Sequence, residues 1–191
     1  MKKVIWIATA NKNKVKEFQK ILTEYEVKCL RDLDFDFDVE ETGQTFEENA
    51  LIKARALYEC IKQPLIAEDS GFCVDAMDGL PGIYAHRWMG EDTSYDIKNQ
   101  EIIRLVEGKE RTCRYVAAIA YIDEEGKEHT YLGTCEGEIY TEQLGTNGFA
   151  YDPIFYYPPF KTTLANVSDE EKNSISHRAK AIELFLADFN K

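Results

Sequence analysis

The sequence predicts a mixed fold of strands and helices, α/β or α+β in class. Three observations carry this. An apolar run at residues 4–8 passes directly into a helical pattern with apolar positions at Val15, Phe18, Leu22 and Tyr25. A long amphipathic helix, "TFEENALIKARALYECI", precedes the strand-like "PLIA". Two β-rich runs, "RYVAAIAYID" and "HTYLGTCEGEIY", are separated only by "EEGKE", the layout of a β-hairpin.

In chain order, residues 2–8 are predicted as a buried strand and 11–25 as a helix. The stretch "RDLDFDFDVEETG" alternates polar and apolar residues and turns at Gly43, which suits a short strand or a loop. The helix at 45–61 opens with Thr45 and Glu48, the spacing of a capping box, and carries the stripe Phe46, Ala50, Ala54, Leu57 and Ile61. "PLIA" is expected to end in a turn at "EDSG", with "FCVDA" as a further strand and "GLPG" as a second turn. Residues 95–107 read as helical. "LGTNGFAYDPIFYYPPF" reads as a loop dense in aromatics, Gly and Pro. A last helix spans roughly 177–189, with Ile182, Phe185, Leu186 and Phe189 facing the core; Ser168 with Glu171, or Ser176, caps its start. Residues 1–191 are expected to form one domain.

The net charge of −12 argues against a nucleic-acid polymer as partner, because such binding needs a basic face. It leaves room for a small phosphorylated ligand in a local basic pocket. No apolar run approaches membrane-spanning length, and no signal peptide is visible. The five cysteines are odd in number and form no C-x-x-C pair. Buried, reduced thiols in a cytoplasmic protein are expected.

Four groups of residues carry chemistry. The first is "TANKNK". A strand, a tight turn and a helix present backbone N–H groups to a phosphate, and Thr9, Asn11 and Lys14 can add hydrogen bonds and charge. Lys12, Lys14 and Lys16 crowd a helix start that is already positive, where acidic residues are usual. A bound anion or a solvated surface helix would each explain them, and the segment alone leaves both open. The second is the carboxylates Glu40, Glu41, Glu68 and Asp69. Magnesium takes oxygen ligands, usually one or two carboxylates together with substrate phosphates. The third is Lys53, beside the apolar stripe of its helix, where a lysine ordinarily reaches out to water. The fourth joins "NGFAYDP" to "EEKNSISHR": Phe149 and Tyr151 can stack on a base, and Lys172, His177 and Arg178 can grip its edge or its phosphates. Packing on a sheet would explain the same aromatics.

Together, "ATANKNKVKEF", "EETGQTFEENALIKARA", "EDSGFCVDAMDGLPGIYAHRW", "NGFAYDPIF" and "EEKNSISHRAKA" resemble, in order and spacing, the inosine triphosphate pyrophosphatase family, also called the dITP/XTP pyrophosphatases. The resemblance covers nearly the whole chain. It implies a mixed, strongly twisted sheet with flanking helices and two lobes around a nucleotide cleft. It also implies a homodimer that uses Mg2+ to hydrolyse deaminated purine nucleoside triphosphates (ITP, dITP, XTP) to monophosphate and pyrophosphate. By the same resemblance, Thr9, Ala10, Asn11, Lys12, Asn13 and Lys14 form the phosphate-binding turn. Glu40 and Asp69 hold the metal, Asp69 is the proton acceptor, and Lys53 lies near the phosphates. Ser70, Phe149, Ala150, Tyr151, Asp152, Lys172, His177 and Arg178 surround the rest of the nucleotide. Arg178, a donor-only side chain, is expected to face the O6 acceptor of hypoxanthine or xanthine. The chain departs from the family pattern at Ala10 and Ala150, where glycine is usual. A pyrophosphatase of the related Maf-like type and a catalytically silent nucleotide-binding regulator are the competing readings.

Overall fold

The computed structural model describes residues 2–189. Eight strands form one mixed sheet in the order β2-β1-β3-β5-β6-β7-β8, with β4 beside β3. Strand β1 (Lys3–Ile7) lies parallel to both β2 (Tyr25–Cys29) and β3 (Leu65–Val74). The remaining pairings, through β4 (Pro81–Gly82), β5 (Thr112–Ile122), β6 (Glu128–Ile139), β7 (Phe155–Tyr157) and β8 (Thr162–Thr163), are antiparallel. The β5–β6 hairpin is the predicted one.

Helices cover both faces, as side chains alternating across the pleat require. On one face α1 (Lys12–Ile21) and α5 (His177–Phe189) bury Phe18, Leu22, Ala181, Ile182 and Phe185 against Ile5, Ile7, Ile66 and Ile119. On the other, α2 (Phe46–Ile61) lays Ala50, Ala54 and Leu57 on Leu65, Ala67, Ala118 and Ala120. A third cluster, around Phe72, Tyr115, Tyr151 and Phe155, packs under α3 (Tyr95–Leu105) and forms the second lobe. A last short helix, α4 (Asp169–Ile175), leads into α5.

Several expectations need correction. The helix predicted over 11–25 stops at Ile21, and residues 25–29 form β2. Tyr25, read as part of a helical stripe, instead opens the strand that pairs with Lys3. The stretch 31–43 is irregular after a 3-10 turn at Leu30–Asp32. "EDSG" is no turn. It is the middle of β3, which pairs with β5 continuously from Leu65↔Ile122 to Val74↔Cys113. Gly71 serves close approach here: a Cβ would lie 2.1 Å from the Gly82 carbonyl oxygen. The 144–160 loop contains β7.

Both proposed caps of the last helix are used, because there are two helices. Ser168 and Glu171 form the capping box of α4, and the Ser176 hydroxyl accepts from Ala179 N at 3.1 Å in α5. At α2, Thr45 accepts from Glu48 N as expected, but the Glu48 carboxylate reaches Gln44 N rather than Thr45 N. Of the thiols, Cys29, Cys113 and Cys135 are buried, while Cys60 is exposed on the outer face of α2.

Candidate active site

β1 ends at Ile7 and covers only the start of β3, since their pairing stops at Ile7↔Ile66. Beyond that point the edge of β3 opens into a cleft of about 810 Å3, outside the carboxyl end of β1. Glu68, Asp69 and Ser70 lie on this edge. The start of α1 forms one wall: the Asn11 side chain accepts from Lys14 N at 3.4 Å, and Thr9 Oγ1 accepts from Asn11 N at 3.1 Å. Asn11 and Lys14 line the cleft; Thr9, Ala10 and Lys12 lie in or beside the turn without lining it, and the Asn13 side chain falls outside the described residues. Ala10 is not among the residues with positive φ, so this position does not demand the family's glycine.

Glu68 and Asp69 are neighbours on a strand and so point to opposite faces of the sheet. Glu68 points to the α1/α5 side. Its carboxylate receives Arg178 Nε at 2.8 Å and stands 3.3 Å from Lys14 Nζ. Burial pushes the Glu68 pKa up, but Arg178 and Lys14 outweigh it and hold the carboxyl well below the usual range. Arg178 also donates to Glu17 Oε2 at 2.6 Å, which ties α5 to α1.

Asp69 points to the α2 side. It is buried, accepts from Ser70 N at 3.0 Å through Oδ1, and its Oδ2 makes no hydrogen bond. Burial raises its pKa to about 6; the nearby Glu41 carboxylate adds to the rise, and Lys53 and Asn49 soften it. Lys53, on α2, is held at the cleft by Glu41 Oε1 at 2.8 Å and by the Glu68 carbonyl oxygen at 3.1 Å. Glu40 lines the cleft too, on its exposed side.

The opposite wall comes from the 148–152 loop and the start of α5. Ala150 adopts φ +56°, the left-handed region where the family's glycine would be at ease. Phe149 is 60% exposed and stands 4.5 Å beneath Lys172 Nζ. Tyr151 instead points into the core, stacked on Phe72 with 4.7 Å between ring centroids. Asp152 is buried and accepts from Lys172 Nζ, Phe149 N and Tyr115 OH at 2.5, 2.9 and 3.0 Å, so it anchors the loop. His177 stacks on Tyr115 at 4.9 Å. Burial, with Arg178 next to it, drives the His177 pKa down to about 3, so the ring is neutral at physiological pH.

The structure thus brings Asn11, Lys14, Glu40, Lys53, Asp69, Ser70, Phe149, Ala150, Tyr151, Asp152, Lys172, His177 and Arg178 to one cleft. Sequence reasoning did not single out Glu17, His86, Arg87 or Tyr115, which line it as well. Only the family resemblance separated Asp69 from Glu68; strand alternation would have done so from the residues themselves had "EDSG" been read as strand.

The Asp69 site suits a hard cation. An unpartnered buried carboxylate oxygen lies close to a second carboxylate whose charge disfavours ionisation. Among the described residues, no three His, Cys, Asp or Glu side chains form a complete metal cage.

Comparison with known proteins identifies the family. The Ham1 family model matches residues 5–188. A dITP/XTP pyrophosphatase of Halalkalibacterium halodurans is 45% identical over 93% of this chain and 95% of that protein. One from Listeria monocytogenes is 44% identical over 96% and 92%. The structure of the Staphylococcus aureus Ham1 protein superposes with a TM-score of 0.93 at 40% identity, covering 98% of each chain. A HAM1 protein from Coxiella burnetii gives 0.92 at 34%, again over 98% of each. The chain belongs to the Ham1 family.

Proposed function

We propose that this protein hydrolyses the deaminated purine nucleoside triphosphates ITP, dITP and XTP to the monophosphate and pyrophosphate, removing them from the nucleotide pool. The observation that carries the proposal is Asp69, buried, half-satisfied and raised to a pKa of about 6, lining a nucleotide-sized cleft together with Lys14 and Lys53. The names of the relatives support the substrate class.

The triphosphate would lie along the α1 start, with Thr9, Ala10, Asn11, Lys12 and Asn13 in its turn and Lys14 and Lys53 opposite the phosphate charge. Both lysines are already ion-paired, so they are fixed at the cleft before substrate arrives. Water attacks the α-phosphorus, Asp69 accepts its proton, and pyrophosphate leaves. Mg2+ would be held by Asp69 with Glu40 and its neighbour Glu41, supplying neutralisation of the phosphate charge. Ser70 would contact the substrate. Phe149 would stack on the base, with Lys172 and His177 beside it. Arg178 retains donors beyond those given to Glu68 and Glu17, and the O6 acceptor of a deaminated base suits them where the adenine amino group does not. The long strands β3, β5 and β6 connect both core regions and support one domain. A homodimer is part of the proposal. Among the described residues, no helix is long and apolar enough to cross a membrane. A cytoplasmic location is part of the proposal.

Phosphorus NMR of the products tests the reaction. Pyrophosphate from ITP, dITP and XTP, with ATP turned over far more slowly, is expected. A diphosphate product, or preference for a modified pyrimidine triphosphate, rejects it.

A further inference from the structure

Ala150 is a non-glycine residue in the left-handed region, at the point where the cleft loop reverses direction. The reversal sends Phe149 into the cleft and Tyr151 into the core. Something must hold an alanine there. The Asp152 carboxylate fixes Phe149 N, on the near side of the reversal. On the far side, the Ala150 carbonyl is held by a residue of α3.

That residue is Asn99, fully buried on α3. Its Nδ2 donates to the Ala150 carbonyl at 3.0 Å and to Gln143 Oε1 at 3.3 Å. Both partners are acceptors, which fixes the orientation of the amide. Gln143 is itself oriented, because its Nε2 donates to the Asp96 carbonyl at 3.1 Å. The Asn99 Oδ1 is left buried with no partner. A buried orphan acceptor costs stability, and an apolar side chain of similar size would avoid that cost. The amide therefore serves something other than packing.

We propose that Asn99 is a positioning residue for the nucleotide site: it clamps the left-handed Ala150 peptide and so aims Phe149 into the cleft. The clamp compensates for an alanine in a conformation that glycine would take unaided. The inference rests on the pyrophosphatase reading above.

A four-way cycle tests it: wild type, Asn99→Leu, Ala150→Gly and the double variant, each assayed for kcat/KM on ITP and for inhibition by inorganic pyrophosphate. Asn99→Leu is expected to lose about tenfold in kcat/KM, mostly through KM, the size of one good hydrogen bond. Glycine takes the left-handed conformation unaided, so in the Ala150→Gly background the same change should cost no more than about twofold, close to no effect on the free-energy scale. Pyrophosphate, which binds at the Lys14 end, should inhibit all four equally. If Asn99→Leu does not yield folded protein by circular dichroism, Asn99→Ser replaces it in the same cycle. Equal losses in both backgrounds, no loss at all, or weakened pyrophosphate inhibition in parallel would each overturn the role of Asn99 in an active wild type. A wild type that releases no pyrophosphate from ITP would sink the functional reading, and this inference with it.

Discussion

Asp69 shows how one side chain is shaped by its surroundings. Burial raises its pKa to about 6, with the Glu41 charge adding to the rise. For an acid with a raised folded pKa, the folded state holds the proton more tightly than the unfolded chain. Ionisation therefore weakens folding as pH rises from about 4 to 6. Asp69→Asn in the presence of a chelator should accordingly stabilise the fold at pH 7–8, by up to roughly 3 kcal/mol, and this gain should vanish below about pH 4. The same variant should lose turnover by a factor of roughly 10² or more. Thermal melts across pH, paired with pyrophosphate release, check both; a destabilised Asp69→Asn at pH 8 would contradict the strained carboxylate. At this scale the sequence was informative wherever a residue's chemistry was unusual for its place, as with lysines at a helix start. It named Glu41 only as one of four candidate carboxylates, without a partner, and was silent on Glu17. Their roles arise from partners distant in the chain, Lys53 and Arg178.

Secondary elements were legible where one periodicity ran unbroken and blurred where polar function intruded. The α2 stripe and the β5–β6 hairpin follow their patterns. β3 reads as two pieces because "EDSG" has turn composition, yet ladder pairing to β5 outweighs local propensity. The α1 pattern runs on into β2 because Tyr25 happens to fall at helical spacing. Gly133 shows what pattern alone does not convey. A Cβ there would lie 2.1 Å from the His177 carbonyl oxygen and 2.5 Å from Ala181 N, so α5 sits directly on β6 backbone. Gly133→Ala must push the first turn of α5 outward. A cost of roughly 2–3 kcal/mol is expected, lowering Tm by about 5–10 °C. Because His177 and Arg178 begin that turn, kcat/KM for ITP should drop along with Tm. A melt and an ITP assay on one preparation suffice, and an unchanged Tm would mean that the helix–sheet spacing is slack.

Across the molecule, the two adjacent carboxylates of β3 divide the work. Asp69 faces α2 and lines the cleft, with its unpartnered oxygen buried in the cleft wall. Glu68 faces α1 and α5, where it joins residues far apart in sequence: Lys14 and Glu17 from the first helix, Arg178 from the last. Neither helix alone can complete this network, so the site exists only once the chain's two ends have docked on the central strand. Removing one member of such a buried network leaves charge uncompensated. Glu68→Gln keeps the shape but strands Lys14 and weakens the hold on Arg178, which retains Glu17. A loss of roughly 3 kcal/mol is expected at pH 7. The pH dependence identifies the cause. The Glu68 pKa is depressed in the folded state, so its contribution is present above the unfolded value of 4.5 and is lost as pH falls toward the folded value. The stability gap between wild type and Glu68→Gln should therefore be constant from pH 8 to 6 and narrow below about pH 4.5, where the unfolded wild-type chain takes up a proton that the folded carboxylate still refuses. Urea unfolding of both proteins at pH 7 and again at pH 3.5 measures the gap. A packing defect would give the same gap at both pH values, so a gap that does not narrow would assign the loss to shape and remove the ion network from the account of how the two ends are held together.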